Sequence, residues 1–307
     1  MSGAQAQQSA QPRDVLVHIT DLHFWQVVLN PLKLMNKRLL GNANVFLRRR
    51  REFQTHLAEE FAGKLAATGA TAVFAGGDFT STATSREFAM AAEFVRTLEA
   101  HGMKVFVVPG NHDVYTFEAV RRKRFERYFG AYLPPEGFPC RVALPGGTPM
   151  VLVPTVGPNW LSSKGRITAA EADRTAELLA ACPPGPVLAG GHYPVLHETH
   201  AYRTSPGRRL RRAELLRRTL GTSGREVLYL SGHVHRFSYV RDAAYPMLRH
   251  VSTSALFMQR PGGAHPGGFS ELRFQNETVA VYSHLYRNGW TREEQTPRAE
   301  TPKEEHP

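Results

Sequence analysis

Cysteine is nearly absent: Cys140 and Cys182 are the only two in 307 residues, and they form no CxxC pair. That excludes a disulfide framework and makes the reducing cytosol the default compartment. Long hydrophobic runs are missing as well. No window offers about 18 uninterrupted apolar residues, so no helix is expected to span a bilayer. The opening MSGAQAQQSAQPR lacks a cationic segment followed by an apolar one, so no secretory signal is expected. Ser2 rather than Gly follows Met1, so the myristoylation pattern fails too. Acid is the scarcer charge: 27 Asp and Glu stand against 38 Lys and Arg, a formal net charge of +11. Such a chain suits an anionic partner: phosphate, nucleic acid or a lipid surface.

A chain of this length suits one large α/β domain with elaborations. Residues 1–12 are expected to be a disordered leader. The charged, Pro-containing segment 292–307 is expected to be a disordered tail, leaving a domain over 13–291. Short β-branched runs at 15–20, 71–75, 104–108, 150–153, 186–190 and 226–230 read as buried strands. A later set at 247–251, 269–274 and 278–283 alternates more and reads as antiparallel. Apolar residues at three- and four-residue spacing predict helices over 52–68 and 85–101. A third helix is expected over 168–182, with Thr168 and Glu171 as a capping box. Strands alternating with helices, then a strand-rich end, point to a sheet-on-sheet core covered by helices.

Polar clusters stand where five of those strands stop. VHIT runs into Asp21-Leu22-His23, VFAG into Gly77-Asp78, VFVVPG into Asn111-His112-Asp113, VLAGG into His192 and LYLSG into His233-Val234-His235. In α/β sheets ligands bind beyond the carboxyl ends of strands, so these side chains are placed to converge on one crevice. A lone DxH or a His beside Gly is an ordinary turn feature; five such clusters in order are not. Carboxylate, amide oxygen and neutral imidazole are ligands that borderline divalent ions accept. Seven candidates suggest two ions rather than one. The glycines are expected to let the backbone turn tightly before each ligand.

These motifs resemble those of the calcineurin-like metallophosphoesterase superfamily: D-x-H, GD, GNHD, GH and GHxH, present here as DLH, GGD, GNHD, GHYP and GHVH. The resemblance implies an α/β fold of four layers, an αββα sandwich of two mixed β-sheets flanked by helices. It implies that Asp21, His23 and His235 hold one divalent ion, that Asn111, His192 and His233 hold a second, and that Asp78 bridges them. His112 then serves as the acid for the leaving oxygen, and Asp113 orients it. The nucleophile implied is a metal-bridging hydroxide attacking in line. Mn²⁺ is the expected metal, with Fe, Zn²⁺ or Mg²⁺ as alternatives. Phosphoprotein phosphatases of the superfamily carry GDxxDRG; here GDFTSTATSREF lacks the Asp and displaces the Arg to Arg86. A Ser/Thr protein phosphatase is therefore not expected.

Directly after DLHF comes a stretch over 30–51 that is apolar and cationic at once. Lys33, Lys37, Arg38, Arg48, Arg49, Arg50 and Arg51 sit among Leu, Met, Val and Phe, with no acid. It reads as a solvated helix face, a nucleic-acid contact or a membrane-interface element. The apolar residues favour the third, because nucleic-acid surfaces interleave cations with stacking aromatics. No nucleic-acid partner is therefore expected. Basic runs at 121–127 and 203–218 are expected to join the same rim. KRLLGNANVFLRRRREF is similar to a segment of the UDP-2,3-diacylglucosamine pyrophosphatases, chlamydial-type branch. That resemblance implies a nucleotide-linked glycolipid substrate, an anionic membrane surface as partner, and a peripheral position on the inner face of the inner membrane. Lys37, Arg38, Arg48 to Arg51 and Arg86 are the expected substrate or membrane contacts. A 3′,5′-cyclic-nucleotide phosphodiesterase and a membrane-docked, non-catalytic metal-binding scaffold stand as alternatives.

Overall fold

Strands that are apolar on both faces must be covered on both faces. The computed structural model, which describes residues 12–26, 52–114, 116–157, 164–196, 198–199, 202–203, 206–259, 266–275 and 277–299, shows how this is done. One sheet runs, in spatial order, β14 (Trp290–Gln295), β13 (Thr278–Tyr286), β12 (Gly267–Gln275), β1 (Asp14–Ile19), β2 (Ala72–Ala75) and β3 (Lys104–Val107). Its β1–β3 part is parallel and its β12–β14 part antiparallel. The second runs β15 (Arg298–Ala299), β10 (Ser238–Arg241), β11 (Leu248–Ser252), β9 (Val227–Ser231), β7 (Val187–Gly190), β5 (Pro149–Leu152) and β4 (Cys140–Ala143). A small pair joins β6 (Gly165–Arg166) to β8 (Leu210–Arg211).

Side chains alternate along each strand, so each strand feeds two cores. Leu16, Phe74 and Phe106 meet Met150, Leu188, Leu228 and Leu230 between the sheets. Val17, Ile19, Val73 and Ala75 face outward instead. There they pack with Phe61 of α1 (Ala58–Ala66) and with Phe88 and Phe94 of α2 (Ser85–Ala100). Beyond α2 follow α3 (Phe117–Arg121) and α4 (Arg124–Phe129). On the other side, Val151, Ala189 and Tyr229 pack with Leu179 of α5 (Ala169–Ala180) and with Leu216 and Leu220 of α6 (Ala213–Gly221). The fold is the four-layer αββα sandwich expected.

Thr168 and Glu171 form the expected capping box at α5, and Thr84 and Glu87 form a second one at α2. Each such cap is worth about 1 kcal/mol. Three expectations need correction. The helix expected from residue 52 begins only as a short 3₁₀ turn at Thr55–Leu57. β11 was expected to be antiparallel, yet it runs parallel to β9 on one side and antiparallel to β10 on the other. The tail expected to be unfolded from residue 292 supplies β14 and β15, so the ordered domain reaches Ala299 among the described residues. The leader up to residue 11 and residues 300–307 lie outside the described residues.

Candidate metal centre

β1, β2 and β3 of one sheet and β7 and β9 of the other all end at the same rim. The loops that leave them carry Asp21, His23, Asp78, Asn111, His192, His233 and His235. Asp21, His23 and His235 form one group with ligand atoms within 4.8 Å of one another; Asp78, His192 and His233 form another. His23 Nε2 lies 3.2 Å from His235 Nε2, and His235 Nε2 lies 3.2 Å from Asp21 Oδ1. Asp78 Oδ2 stands between the groups, 3.8 Å from His23 Nε2 and 3.4 Å from His192 Nε2. Asn111 Oδ1 is 3.2 Å from His192 Nε2. All seven expected ligands are thus brought together.

The backbone achieves this by strain at the ligands themselves. Asp21, His23, Asp78, His233 and His235 all have left-handed φ, between 48° and 68°. Such a conformation costs a non-glycine residue on the order of 1–3 kcal/mol and concentrates at functional sites. Gly77, at φ 94°, turns the chain into Asp78 as expected, while Gly110 and Gly232 chiefly permit close approach. A Cβ on Gly110 would stand 2.1 Å from Asp78 N, and one on Gly232 would stand 1.9 Å from Thr20 Oγ1.

Neighbouring groups fix which atom of each ligand faces inward. His192 Nδ1 donates to Gly76 O at 2.7 Å, which leaves Nε2 as the lone-pair nitrogen. His23 Nδ1 points at Thr80 O, 3.4 Å away. Asp21 Oδ2 accepts from Thr20 Oγ1 and from the His233 amide at 2.8 Å, while buried Asp21 Oδ1 has no hydrogen-bond partner. Buried His233 Nε2 likewise has none. Buried polar atoms left without a partner are costly unless a cation serves them. The carboxylate, amide and imidazole set fits a dinuclear divalent centre.

Charge in the cluster follows from burial and pairing. Burial opposes ionisation of Asp78, but His192 and His112 hold it well below the usual carboxylate range. Burial also opposes a charge on His192, yet Asp78 and Asp21 lift it to about 9. Burial, helped by His192, pushes His233 down to about 3. Two ionised carboxylates within four imidazoles make a site where divalent ions compete directly with protons.

His112 sits beside the cluster, its ring 4.9 Å from that of His23 at 87°. Its amide N–H donates to Asp78 Oδ1 at 2.7 Å and its Nδ1 to Ser81 O at 2.7 Å. Asp113 does not take the orienting role expected of it. Its carboxylate accepts from the amides of Phe79, Thr80 and Gly110 and from Thr80 Oγ1. Those four bonds fill a carboxylate's acceptor sites; the ring is oriented by Ser81 instead. Burial and the Asp78 charge push Asp113 up to about 7, against the pull of these donors. Asp113 ties the loop after β2 to the loop after β3.

Two residues went unread in the sequence. The Phe53 ring lies 4.9 Å from that of His23 and 6.0 Å from that of His235. Nothing local marks it, because 29 residues separate it from Phe24. Tyr193, inside GHYP, stacks 4.1 Å from His233, and its hydroxyl donates to Asn111 Oδ1 at 3.1 Å. Burial, with Asp78 and Asp21, keeps that phenol protonated. Tyr193→Phe keeps the stacking and removes the donor. Metal titration of this variant is expected to show one site of unchanged affinity and one weakened about tenfold or more; two unaltered sites would remove the assigned role.

Arg86 is exposed on the first turn of α2, and no contact ties it to the cluster among the described residues. Arg124, in the second basic run, is buried and bonded to Ala83 O and Glu118. In the third run, Arg217 pairs with Asp242. Those two arginines serve the fold rather than a rim. Lys37, Arg38, Arg48 to Arg51, His197 and His200 lie outside the described residues. No helix among the described residues is long and apolar enough to cross a membrane.

Comparison with solved structures gives the same architecture. A dimetal phosphatase from Danio rerio aligns over 89% of this chain and 96% of its own, at TM-score 0.61 and 14% identity. A purple acid phosphatase from yellow lupin (Lupinus luteus) seeds aligns over 89% of this chain and 51% of its own, at TM-score 0.60 and 12% identity. Comparison with curated proteins finds no match. The calcineurin-like phosphoesterase family model matches residues 15–237, from the start of β1 to just past His235, and with the ligand cluster in place the chain belongs to that family.

Proposed function

We propose that this phosphoester hydrolase acts on a lipid-linked nucleotide diphosphate, with UDP-2,3-diacylglucosamine as the substrate. Water cleaves the P–O–P bond, giving UMP and 2,3-diacylglucosamine 1-phosphate. Divalent ions at such a centre supply Lewis acidity and an activated water. The chain's own residues do the rest. Asp78 joins the two ligand groups, Tyr193 holds Asn111, and Ser81 holds the His112 ring for proton delivery to the leaving oxygen.

The observation that carries the lipid reading is where the described residues flanking the basic, apolar stretch are held. Trp25 Nε1 donates to Phe53 O, Gln26 N to Glu87, and Gln259 N to Glu52 O at 2.6 Å. Phe53, two residues past Arg51, rests on His23 and His235. The described residues on either side of the stretch, Trp25 and Gln26 before it and Glu52 and Phe53 after it, are therefore held by contacts, with Phe53 against the ligand cluster. A rim of this composition suits headgroup chemistry at the metals with acyl chains kept out of water. On this reading the protein works peripherally on the inner face of the inner membrane.

The test is UMP release from UDP-2,3-diacylglucosamine in anionic mixed micelles with Mn²⁺, with cyclic AMP as competitor. Metal-dependent UMP release is expected, with cyclic AMP untouched. Replacing Arg48 to Arg51 with Gln is expected to weaken micelle binding by about tenfold or more, from about 1 kcal/mol per cation less screening. Opening of cyclic AMP without UMP release would move the function to nucleotide signalling. Metal binding without turnover of either would favour the scaffold.

A further inference from the structure

The fold accounts for only part of the basic run over 203–218. Arg217 pairs with Asp242, and Arg203 lies 4.0 Å from Glu198. Arg208 is exposed and has no ion pair among the described residues. Its place is set from two directions. Ahead of it in the chain, Leu210 of β8 is the Cα partner of Gly165 of β6. Gly165 packs on Tyr193, where a Cβ would stand 2.6 Å from Tyr193 Cδ2. Paired strands lie about 4.8 Å apart and two residues span at most about 7 Å, so the backbone of Arg208 stays near the Tyr193 ring. Behind it, the Tyr202 hydroxyl donates to Pro194 O at 3.2 Å, and Arg209 stacks on the Tyr202 ring and donates to its carbonyl. Pro194 directly follows Tyr193, so both anchors of the segment lie at one place.

Tyr193 connects that place to the candidate ligands. Its ring lies 4.1 Å from that of His233, and its hydroxyl donates to Asn111 Oδ1 at 3.1 Å. Burial, Asp78 and Asp21 raise the phenol, and the charge of Arg208 acts on it in the opposite sense. Arg208 therefore brings a positive charge to the side of the cluster that holds Asn111, His192 and His233. Its neighbours in the run point elsewhere. Gly165 and Leu210 are buried and residues alternate along a strand, so Arg166 and Arg211, next in register, face away and are exposed.

We propose that Arg208 holds the second phosphoryl group of the substrate, the one that is not attacked at the metal centre, so that the site selects diphosphates over single phosphate esters. The proposal rests on the phosphohydrolase reading above and names its substrate class. Divalent ions neutralise the phosphoryl group they hold. A second phosphoryl group carries its own charge and needs its own partner. A guanidinium suits it, because its planar fork gives two parallel N–H bonds to phosphate oxygens. With no acid paired to it, Arg208 has no ion pair to break on binding.

Inhibition of bis(4-nitrophenyl) phosphate hydrolysis by UMP and, separately, by UDP tests this on the Mn²⁺-loaded protein, with Mn²⁺ in excess over nucleotide. UDP is expected to inhibit about tenfold or more tightly than UMP, the value of one charge-assisted contact. Arg208→Ala is expected to erase most of that advantage, with UMP inhibition and diester turnover within about twofold of wild type. Arg208→Lys is expected to keep about a threefold advantage, since an ammonium brings the charge without the fork. Arg211→Ala removes the same charge from the far face of the ribbon and is expected to leave the advantage within about twofold. UDP no tighter than UMP, an advantage that survives Arg208→Ala, or one that falls equally with Arg211→Ala overturns the proposal and leaves the metal chemistry standing. No metal-dependent turnover of the diester by the wild type overturns the phosphohydrolase reading and this proposal together.

Discussion

Asp78→Ala is expected to lower kcat/KM by on the order of a thousandfold and to leave the protein holding about one divalent ion instead of two. Among the described residues, Asp78 is the only carboxylate with one oxygen facing both ligand groups, 3.8 Å from His23 Nε2 and 3.4 Å from His192 Nε2. Its other oxygen accepts the amide of His112 at 2.7 Å. Substitution therefore removes the joint between two ligand groups and the anchor of the His112 backbone at once. Losing a supporting partner costs about 10–100-fold, so losing the shared ligand costs more. Asp78→Asn separates the parts, because its amide oxygen still accepts from His112 N but brings no charge to the ions. It is expected to keep the loop and lose the second ion. Metal content by mass spectrometry, with turnover of a diester, checks both variants; a full complement of two ions with unchanged turnover in Asp78→Ala would refute the bridging role.

The ligand set was legible because its signal is local. Each candidate ligand follows a buried strand within four residues, and in four of the five clusters a glycine precedes it, as at Gly110 against Asp78. The turning glycine was read correctly at Gly77, but the left-handed φ of five of the candidate ligands themselves, held by tertiary structure, left no mark in the sequence. Contacts made across the chain left no such trace. Asp113 looked like a partner for its sequence neighbour, but its carboxylate serves amides more than 30 residues away as well as Gly110. Phe53 reaches His23 only because the strand-like bridge to Met258 brings it back. The tail shows the limit of composition. TREEQ reads as unfolded because it is charged, yet charge is what an exposed edge strand tolerates, and β14 is such a strand. β11 shows a second limit: a pattern of alternation marks a strand but not the direction of its neighbours.

The second large effect is expected at His112. His112→Ala should lower kcat by about 10²–10⁴-fold for substrates with poor leaving groups, the usual contribution of a positioned acid. Metal content should stay at two ions, because the seven candidate ligands are complete without it. The geometry explains why the loss depends on the leaving group. Ser81 O accepts from His112 Nδ1–H at 2.7 Å, which leaves Nε2 as the nitrogen able to exchange a proton. A ring nitrogen of His112 lies within 4.8 Å of ligand atoms of both His23 and Asp78, within reach of a phosphoryl oxygen at the centre. An alkoxide leaving oxygen needs that proton; a nitrophenolate does not. The deficit should therefore shrink by about tenfold or more on 4-nitrophenyl diesters. A deficit of equal size on both substrates, with an ion lost, would make His112 a ligand. An equal deficit with both ions retained would make it a charge that stabilises phosphate. Only the leaving-group dependence identifies an acid, whose direction the hydrogen bond from Nδ1 to the Ser81 carbonyl would then set.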